Sequence, residues 1–325
     1  MNNILISGGS GFIGNQVAHE LHKQGHQVTV VDRKVKHWDT PFNVFEDDFL
    51  NYIAHDDSQY DTIIHLAAEH LVEQSVTEPS KYYTNNVIKM KGMLDHMVAR
   101  GINNIIFSST GAVYGKQGKL GLLTEDMNYD PENTYASTKV AGEMMIRDYA
   151  KAYGINYVNF RYFNVAGADT DCRFGYIQRP ATHVIPILCN KILNEETFSI
   201  YGNDYSTPDG TCVRDYVHVA DLATAHIKAI EYLNEGKENN TFNIGYGNGG
   251  ISVKQLVECA AEVVGKTPII EYKERRAGDS VVLVADTTKA QTVLGWRPQY
   301  KINDIIRHAW NWESKLKTNT RSSEK

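Results

Sequence analysis

Residues 3–7, NILIS, run straight into SGGSGFIG, and the chain then reads FIGNQVAHELHKQG as far as Gly25. A strand rich in branched apolar residues, a glycine turn and a helix, in that order, leave few folds open. Gly8, Gly11 and Gly14 are spaced G-x-x-G-x-x-G, and Gly9, Gly11 and Gly14 also satisfy the commoner G-x-G-x-x-G form. Glycines there let the backbone approach phosphates, while the helix start supplies amide donors and the positive end of its dipole. A glycine triplet alone is an ordinary turn. Placed between a first strand and a first helix, it predicts a dinucleotide cradle.

The second strand, HQVTVVD, ends at Asp32, where a carboxylate grips the ribose diol of an adenosine. That carboxylate would repel a 2′-phosphate, which favours NAD over NADP. Arg33 pulls the other way, because an arginine at this place can accept the phosphate.

The alternation continues. NVFED, DTIIHLA, NNIIFSS and INYVNFRYF read as further strands, separated by SKYYTNNVIKMKGMLDHMVARG and by a segment holding NTYASTK. Gly25, Gly101 and Gly154 are suited to left-handed helix stops. Strands alternating with helices predict an α/β fold of Rossmann type, a doubly wound parallel sheet. After residue 168 the rhythm breaks into shorter pieces, including ATHVIPILCNKILNE, FSIYG and VRDYVHVADLATAHIKAIEYL. Ser252 is placed to cap ISVKQLVECAAEVVGK, and KINDIIRHAWNWESKLK reads as a closing amphipathic helix. The expected organisation is a dinucleotide domain over 1–168, rejoined by 216–250. A smaller α/β substrate domain takes 169–215 and 251–317, and 318–325 form a flexible tail.

The formal net charge of −6, with no basic stretch to offset it, argues against a nucleic-acid partner. Cysteines 172, 189, 212 and 259 are scattered without a C-x-x-C pair, which speaks against a disulfide framework or zinc and for a reducing cytoplasm. His65 and His70 have no ligand-like companions, so no metal is expected. The start, MNNILISGG, lacks the basic and apolar blocks of a signal peptide, and no apolar run is long enough for a bilayer.

Tyr135 and Lys139, in NTYASTK, lie one helical turn apart. The spacing arises by chance often, and an exposed helix face would explain it. Beside a nicotinamide it acquires a purpose. A free tyrosine has a pKa of about 10, and lowering it by roughly three units requires about 4 kcal/mol of preference for the phenolate. Lys139 and a positive nicotinamide ring are expected to supply that, with Thr110 at the end of FSST holding the reacting oxygen.

SGGSGFIG, HLAA, FSSTGAVYG, Y-x-x-x-K and RYFNVAG, in this order, resemble the extended short-chain dehydrogenase/reductases. YGNDYSTPDGTCVRDYVHVADLA, RRAGD followed by VLVAD, and LGWRP are similar to the UDP-hexose 4-epimerases among them. The resemblance covers nearly the whole chain. It implies an NAD-dependent isomerase that interconverts UDP-glucose and UDP-galactose through a 4-keto sugar, with Tyr135, Lys139 and Thr110 catalytic. It places Gly8, Gly11, Phe12, Ile13, Gly14, Asp32, Arg33, Asp48, Phe49, Leu66, Ala67, Ala68, His70, Asn85, Tyr135, Lys139 and Tyr162 on NAD. Thr110, Tyr135, Asn164, His183, Val184, Ser199, Ile200, Tyr201, Arg214, Arg276, Asp279 and Leu283 fall on the UDP-sugar. It also implies a homodimer through the helices near 80–100 and 133–152, although Met90, Met93 and Met97 there could equally be core.

Two positions depart from the family pattern, and two more separate the chain from a sister group. His70 stands where a lysine is usual, and Thr134 where a proline is. Gly111 and Ala112 follow Thr110 where the sister dehydratases carry an Asp-Glu pair, and without that pair water elimination lacks its proton carriers. The remaining alternatives are a 4-epimerase of UDP-N-acetylhexosamines or another UDP-sugar, and an inactive NAD-binding regulator on the same fold.

Overall fold

The structure, a computed structural model, describes residues 1–35, 39–117, 121–247, 249–276 and 280–323. Its main layer is a seven-stranded sheet. Six strands follow in chain order: β1 (Asn3–Ser7), β2 (Gln27–Asp32), β3 (Asn43–Glu46), β4 (Thr62–His65), β5 (Asn104–Thr110) and β6 (Asn156–Tyr162). The seventh, Asn240–Ile244, pairs with β6 at one edge, and the spatial order is then β6, β5, β4, β1, β2, β3. Every pairing is parallel. The order reverses between β1 and β4, and a ligand crevice belongs outside the carboxyl ends of the strands at that place.

Alternation along β1 shows why both faces must be covered. Ile4 and Ile6 enter one core and Leu5 the other, all almost fully buried. Helices α1 (Phe12–Lys23) and α8 (Val219–Asn234) close the first face. The second is closed by α2 (Phe49–His55), α5 (Lys89–Arg100) and α6 (Thr134–Tyr153). Segment 216–250, expected to return to this domain, thus contributes both α8 and the edge strand. Gly101 and Gly154 end α5 and α6 in the left-handed conformation.

The single helix expected over 80–101 is interrupted. After α3 (Val72–Thr77), α4 (Pro79–Tyr83) passes into a π-helical turn, Thr84–Ile88, before α5 begins. That wider turn carries Asn85 to the crevice and Asn86 to the loop after β4. Met90, Met93 and Met97 are buried beneath the sheet, which makes their stripe core.

A third core lies between α7 (Val184–Asn194), α9 (Val253–Val264) and, after the short α10 (Thr288–Thr292), α11 (Ile302–Ser323). Ser252 caps α9 with a full capping box. Around this core lie short sheets: Asn164–Ala166 with Tyr216–His218, Phe198–Tyr201 with Ile270–Lys273, and Val213–Arg214 between Ile251–Ser252 and Val282–Leu283. α11 runs helical through Ser323, and Thr318 donates its hydroxyl to the Ser314 carbonyl at 3.0 Å. Among the described residues no helix is long and apolar enough to cross a membrane.

Candidate active site

A cleft of about 560 Å³ opens at the carboxyl edge of the sheet. It is within the size range of sites that hold small molecules and cofactors. At its floor the turn Gly8–Gly11 joins β1 to α1. Gly8 has φ +74°, and a Cβ there would sit 2.6 Å from the Ala67 nitrogen. At Gly14 an added Cβ would lie 2.5 Å from the Gly9 Cα. Both positions therefore exclude any side chain, and the backbone closes into a tight cradle. The helix starts at Gly11 with no side-chain cap and no acid in its first turn, so its amides and dipole face an anion unopposed.

The adenosine end is built from strand ends. Asp32 accepts hydrogen bonds from the Ser10 and Lys34 backbone N–H groups at 3.2 and 3.3 Å, which ties the carboxylate to the glycine turn. Asp48 caps α2 through the Leu50 amide and also pairs with Lys89. The ring of Phe49 stands edge-on to His65, 5.1 Å between centroids. His65 is held by the Ser7 hydroxyl at 2.6 Å and is buried, a core histidine. Leu66, Ala67, Ala68, His70 and Asn85 complete this wall, and each residue placed on NAD from the sequence lines the cleft.

At the other end Thr110, Tyr135 and Lys139 converge. Asn133 caps α6 by accepting the Ala136 N–H at 2.9 Å, which sets Tyr135 at the start of the helix. Lys139, 3% exposed, donates to the Ser108 carbonyl at 2.6 Å, and its Nζ lies 5.9 Å from the Tyr135 ring centre. Thr110 ends β5, and its hydroxyl accepts the Ala112 N–H. The phenol of Tyr162 meets buried His226 at 2.8 Å. His226 in turn donates to the Leu222 carbonyl through Nδ1, so its Nε2 accepts the hydrogen bond of the Tyr162 hydroxyl.

The electrostatics differ from the expected depression of Tyr135. Burial pushes its phenol up to about 12, with the Thr110 hydroxyl acting the other way. Burial likewise pushes Lys139 down to about 7, opposed by Glu143. Desolvation outweighs the Thr110 hydroxyl, so burial among the chain's own groups holds the phenol above its usual value.

Of the residues placed on the substrate, Thr110, Tyr135, Asn164, His183 and Leu283 line the cleft. Val184, Ser199, Ile200, Tyr201, Arg214 and Arg276 do not, and each has a local reason. Val184 opens α7 against the third core, and the Ile200 side chain is buried in it. Ser199 donates to Glu271 at 2.6 Å, and Arg276 stacks 4.0 Å from the centre of the Tyr201 ring. Arg214 donates to the carbonyls of Val213 and Ser280 and lines a separate cavity. Asp279 lies outside the described residues.

One feature beneath the site was not read from the sequence. Glu143, one turn after Lys139, is fully buried and receives Arg161 Nη2 at 2.8 Å and Nε at 3.1 Å, together with the hydroxyls of Ser109 and Tyr129. Arg161 continues to the Tyr114 hydroxyl at 2.8 Å, which donates to Asn243. Ser109 adjoins Thr110 and Arg161 adjoins Tyr162, so one network fixes α6 to the ends of β5 and β6. Its only sequence signal was the four-residue step from Lys139 to Glu143.

A glycine cradle at the switch point, a carboxylate on the second strand and a Tyr–Lys pair beside them define a dinucleotide-dependent enzyme of Rossmann type. Residues 4–245 match the family described as "NAD dependent epimerase/dehydratase family", and the chain belongs to it. It is 41% identical over 319 residues to a UDP-glucose 4-epimerase of Halalkalibacterium halodurans, covering 95% of each chain. The structure superposes on that of a UDP-glucose 4-epimerase from Brucella ovis in complex with NAD, with a TM-score of 0.90 at 38% identity, covering 95% of this chain and 98% of that one. A UDP-Glc/GlcNAc 4-epimerase from Campylobacter jejuni gives 0.83 at 35% identity, covering 97% and 100%. NAD is thus the cofactor, and the cradle fits it.

Proposed function

We propose that the chain is an isomerase that interconverts UDP-glucose and UDP-galactose by inverting C4. The observation that carries this reading is the continuity of one cleft, from the glycine cradle past Tyr135, Lys139 and Thr110 to Asn164, His183 and Leu283. A dinucleotide and a nucleotide sugar laid end to end in it would meet at the tyrosine. Close relatives bearing this activity in their names support the choice of substrate.

NAD, when bound, supplies the acceptor and donor of the C4 hydride and a positive ring beside the phenol. The residues of the chain do the rest. Gly8, Gly11 and Gly14 with the start of α1 seat the diphosphate, and Asp32 takes the ribose diol. Tyr135 removes the proton of the sugar 4-hydroxyl and later returns it, and Thr110 holds that oxygen. Lys139 lies against the Tyr135 ring, and Glu143 opposes the loss of its proton that burial favours. The flat 4-keto sugar turns about its diphosphate link before reduction from the other face. This requires the UDP half to be gripped while the hexose is free, a task we assign to the second domain.

Gly111 and Ala112 leave no acid–base pair beside Thr110, which disfavours dehydration. Action on UDP-N-acetylhexosamines remains as a second reading, because Leu283 on the hexose wall is shorter than an aromatic residue. Val72, Val76, Tyr83, Ile88, Met144 and Tyr153 expose apolar surface on the helices before and including α6, which supports a homodimer through this face. Cys172, Cys189 and Cys259 are free thiols, which suits the cytoplasm. The test is to incubate the chain with UDP-galactose, without added cofactor, and follow UDP-glucose. Conversion supports the reading, and NAD released on denaturation without any conversion would leave an inactive binder.

A further inference from the structure

Asp32 and Arg33 stand side by side at the adenosine end and favour opposite cofactors. The structure shows what Arg33 is doing. Its Nη2 donates to Glu69 Oε1 at 2.8 Å and its Nη1 to Asn85 Oδ1 at 3.2 Å. Glu69 also takes Lys81 at 3.3 Å through its other oxygen. The carboxylate is not a loose surface group. Its side chain is 17% exposed, whereas the Arg33 side chain is 52% exposed. Asn86, itself buried in the π-helical turn, clamps the Glu69 backbone from both sides. It accepts the N–H at 2.8 Å, donates to the carbonyl at 3.0 Å, and donates to Thr138 on α6 as well. Burial alone would raise the Glu69 carboxyl, but Arg33 and Lys81 hold it below the usual carboxylate range.

The neighbouring cation is also occupied. Lys89, the other cation on this part of the cleft wall among the described residues, is paired with Asp48. A 2′-phosphate entering beside Asp32 would therefore meet carboxylates at Asp32, Asp47 and Asp48, while Arg33 and Lys89, the cations lining this part of the cleft, are already matched to acids. Discrimination against that phosphate has two parts: repulsion by Asp32, and withdrawal of Arg33.

We propose that Glu69 is a cofactor-selecting residue, which holds Arg33 so that it cannot serve a 2′-phosphate and so leaves the choice of NAD to Asp32. The inference rests on the NAD seat described above and not on the identity of the sugar substrate. Freed from Glu69, Arg33 has the length and planar donor fork to bind a phosphate on the ribose.

The test is competitive loading. Full-length wild type, Glu69→Gln, Asp32→Ser and the double variant are exchanged against an equimolar mixture of NAD and NADP and washed. The dinucleotide released on denaturation is then quantified. The double variant is expected to raise the NADP:NAD ratio by at least about tenfold over Asp32→Ser, the worth of one charge-assisted phosphate contact. Adding Arg33→Ala is expected to cancel that gain. A double variant no different from Asp32→Ser, or a gain that survives Arg33→Ala, overturns the proposal. So does a Glu69→Gln protein that is folded by circular dichroism but retains neither dinucleotide, since Glu69 would then build the seat rather than select its occupant. Failure of the epimerase reading would appear separately, as normal NAD retention without UDP-sugar turnover.

Discussion

Replacing Glu143 by Gln probes the link between fold and chemistry. The Glu143 and Arg161 side chains are 2% and 4% exposed, and two guanidinium nitrogens reach the carboxylate. Glutamine keeps the size and one acceptor oxygen but removes the charge, leaving the guanidinium buried without its counter-ion. Breaking a buried pair from one side costs about 3–5 kcal/mol, because the orphaned charge stays desolvated. The hydroxyls of Ser109 and Tyr129 also lose a charged acceptor. Urea unfolding should show the loss as a lower midpoint at unchanged slope. The double variant Glu143→Leu/Arg161→Met removes both charges and should recover most of it. Because α6 carries Tyr135 and Lys139, kcat should fall in the single variant even where the chain remains folded. A loss under about 1 kcal/mol, or a double variant no more stable than the single one, would refute the reasoning.

Three further outcomes are expected. Tyr135→Phe should lower turnover by at least about a hundredfold with UDP binding near normal, as for a positioned base, and near wild-type turnover would remove Tyr135 from the mechanism. Lys139 is pushed down to about 7 by burial, so from there to its ordinary value near 10 the unfolded chain binds more protons than the native one, and stability should rise with pH. Urea unfolding at pH 7 and pH 9 should show wild type gaining on Lys139→Met by on the order of 2 kcal/mol, and an unchanged difference would contradict the burial argument. Leu283→Tyr should suppress UDP-N-acetylglucosamine more than UDP-glucose in the ratio of kcat/KM values, by about 1–3 kcal/mol for a small change in wall shape, and an unmoved ratio would show that Leu283 is not the gate.

What was legible in the sequence was local. The glycine turn, the six strands from NILIS to INYVNFRYF and the helix stops at Gly101 and Gly154 follow from residue type and period, and each is present. The edge strand Asn240–Ile244 escaped notice because Asn240 and Asn243 break its apolar pattern, and Asn243 is buried only because Tyr114 and the Leu123 carbonyl satisfy it. No local signal marks the π-helical turn at Thr84–Ile88. Tyr135 and Lys139 could be found from their spacing, but the direction of their shifts depends on burial, which spacing does not report. Arg33 was ambiguous for the same kind of reason, since its partner Glu69 lies 36 residues away. Arg214 and Arg276 were read from a pattern, which does not report that their side chains here meet the Ser280 carbonyl and the Tyr201 ring.

The central claim is that the hydrogen at C4 leaves the sugar and returns to the same molecule inside the cleft. UDP-galactose deuterated at C4, turned over by the full chain in the presence of excess unlabelled NADH, tests it directly. The account predicts UDP-glucose that retains the deuterium at C4, with no net change in NADH. Product carrying protium at C4, or stoichiometric consumption of NADH, would contradict it.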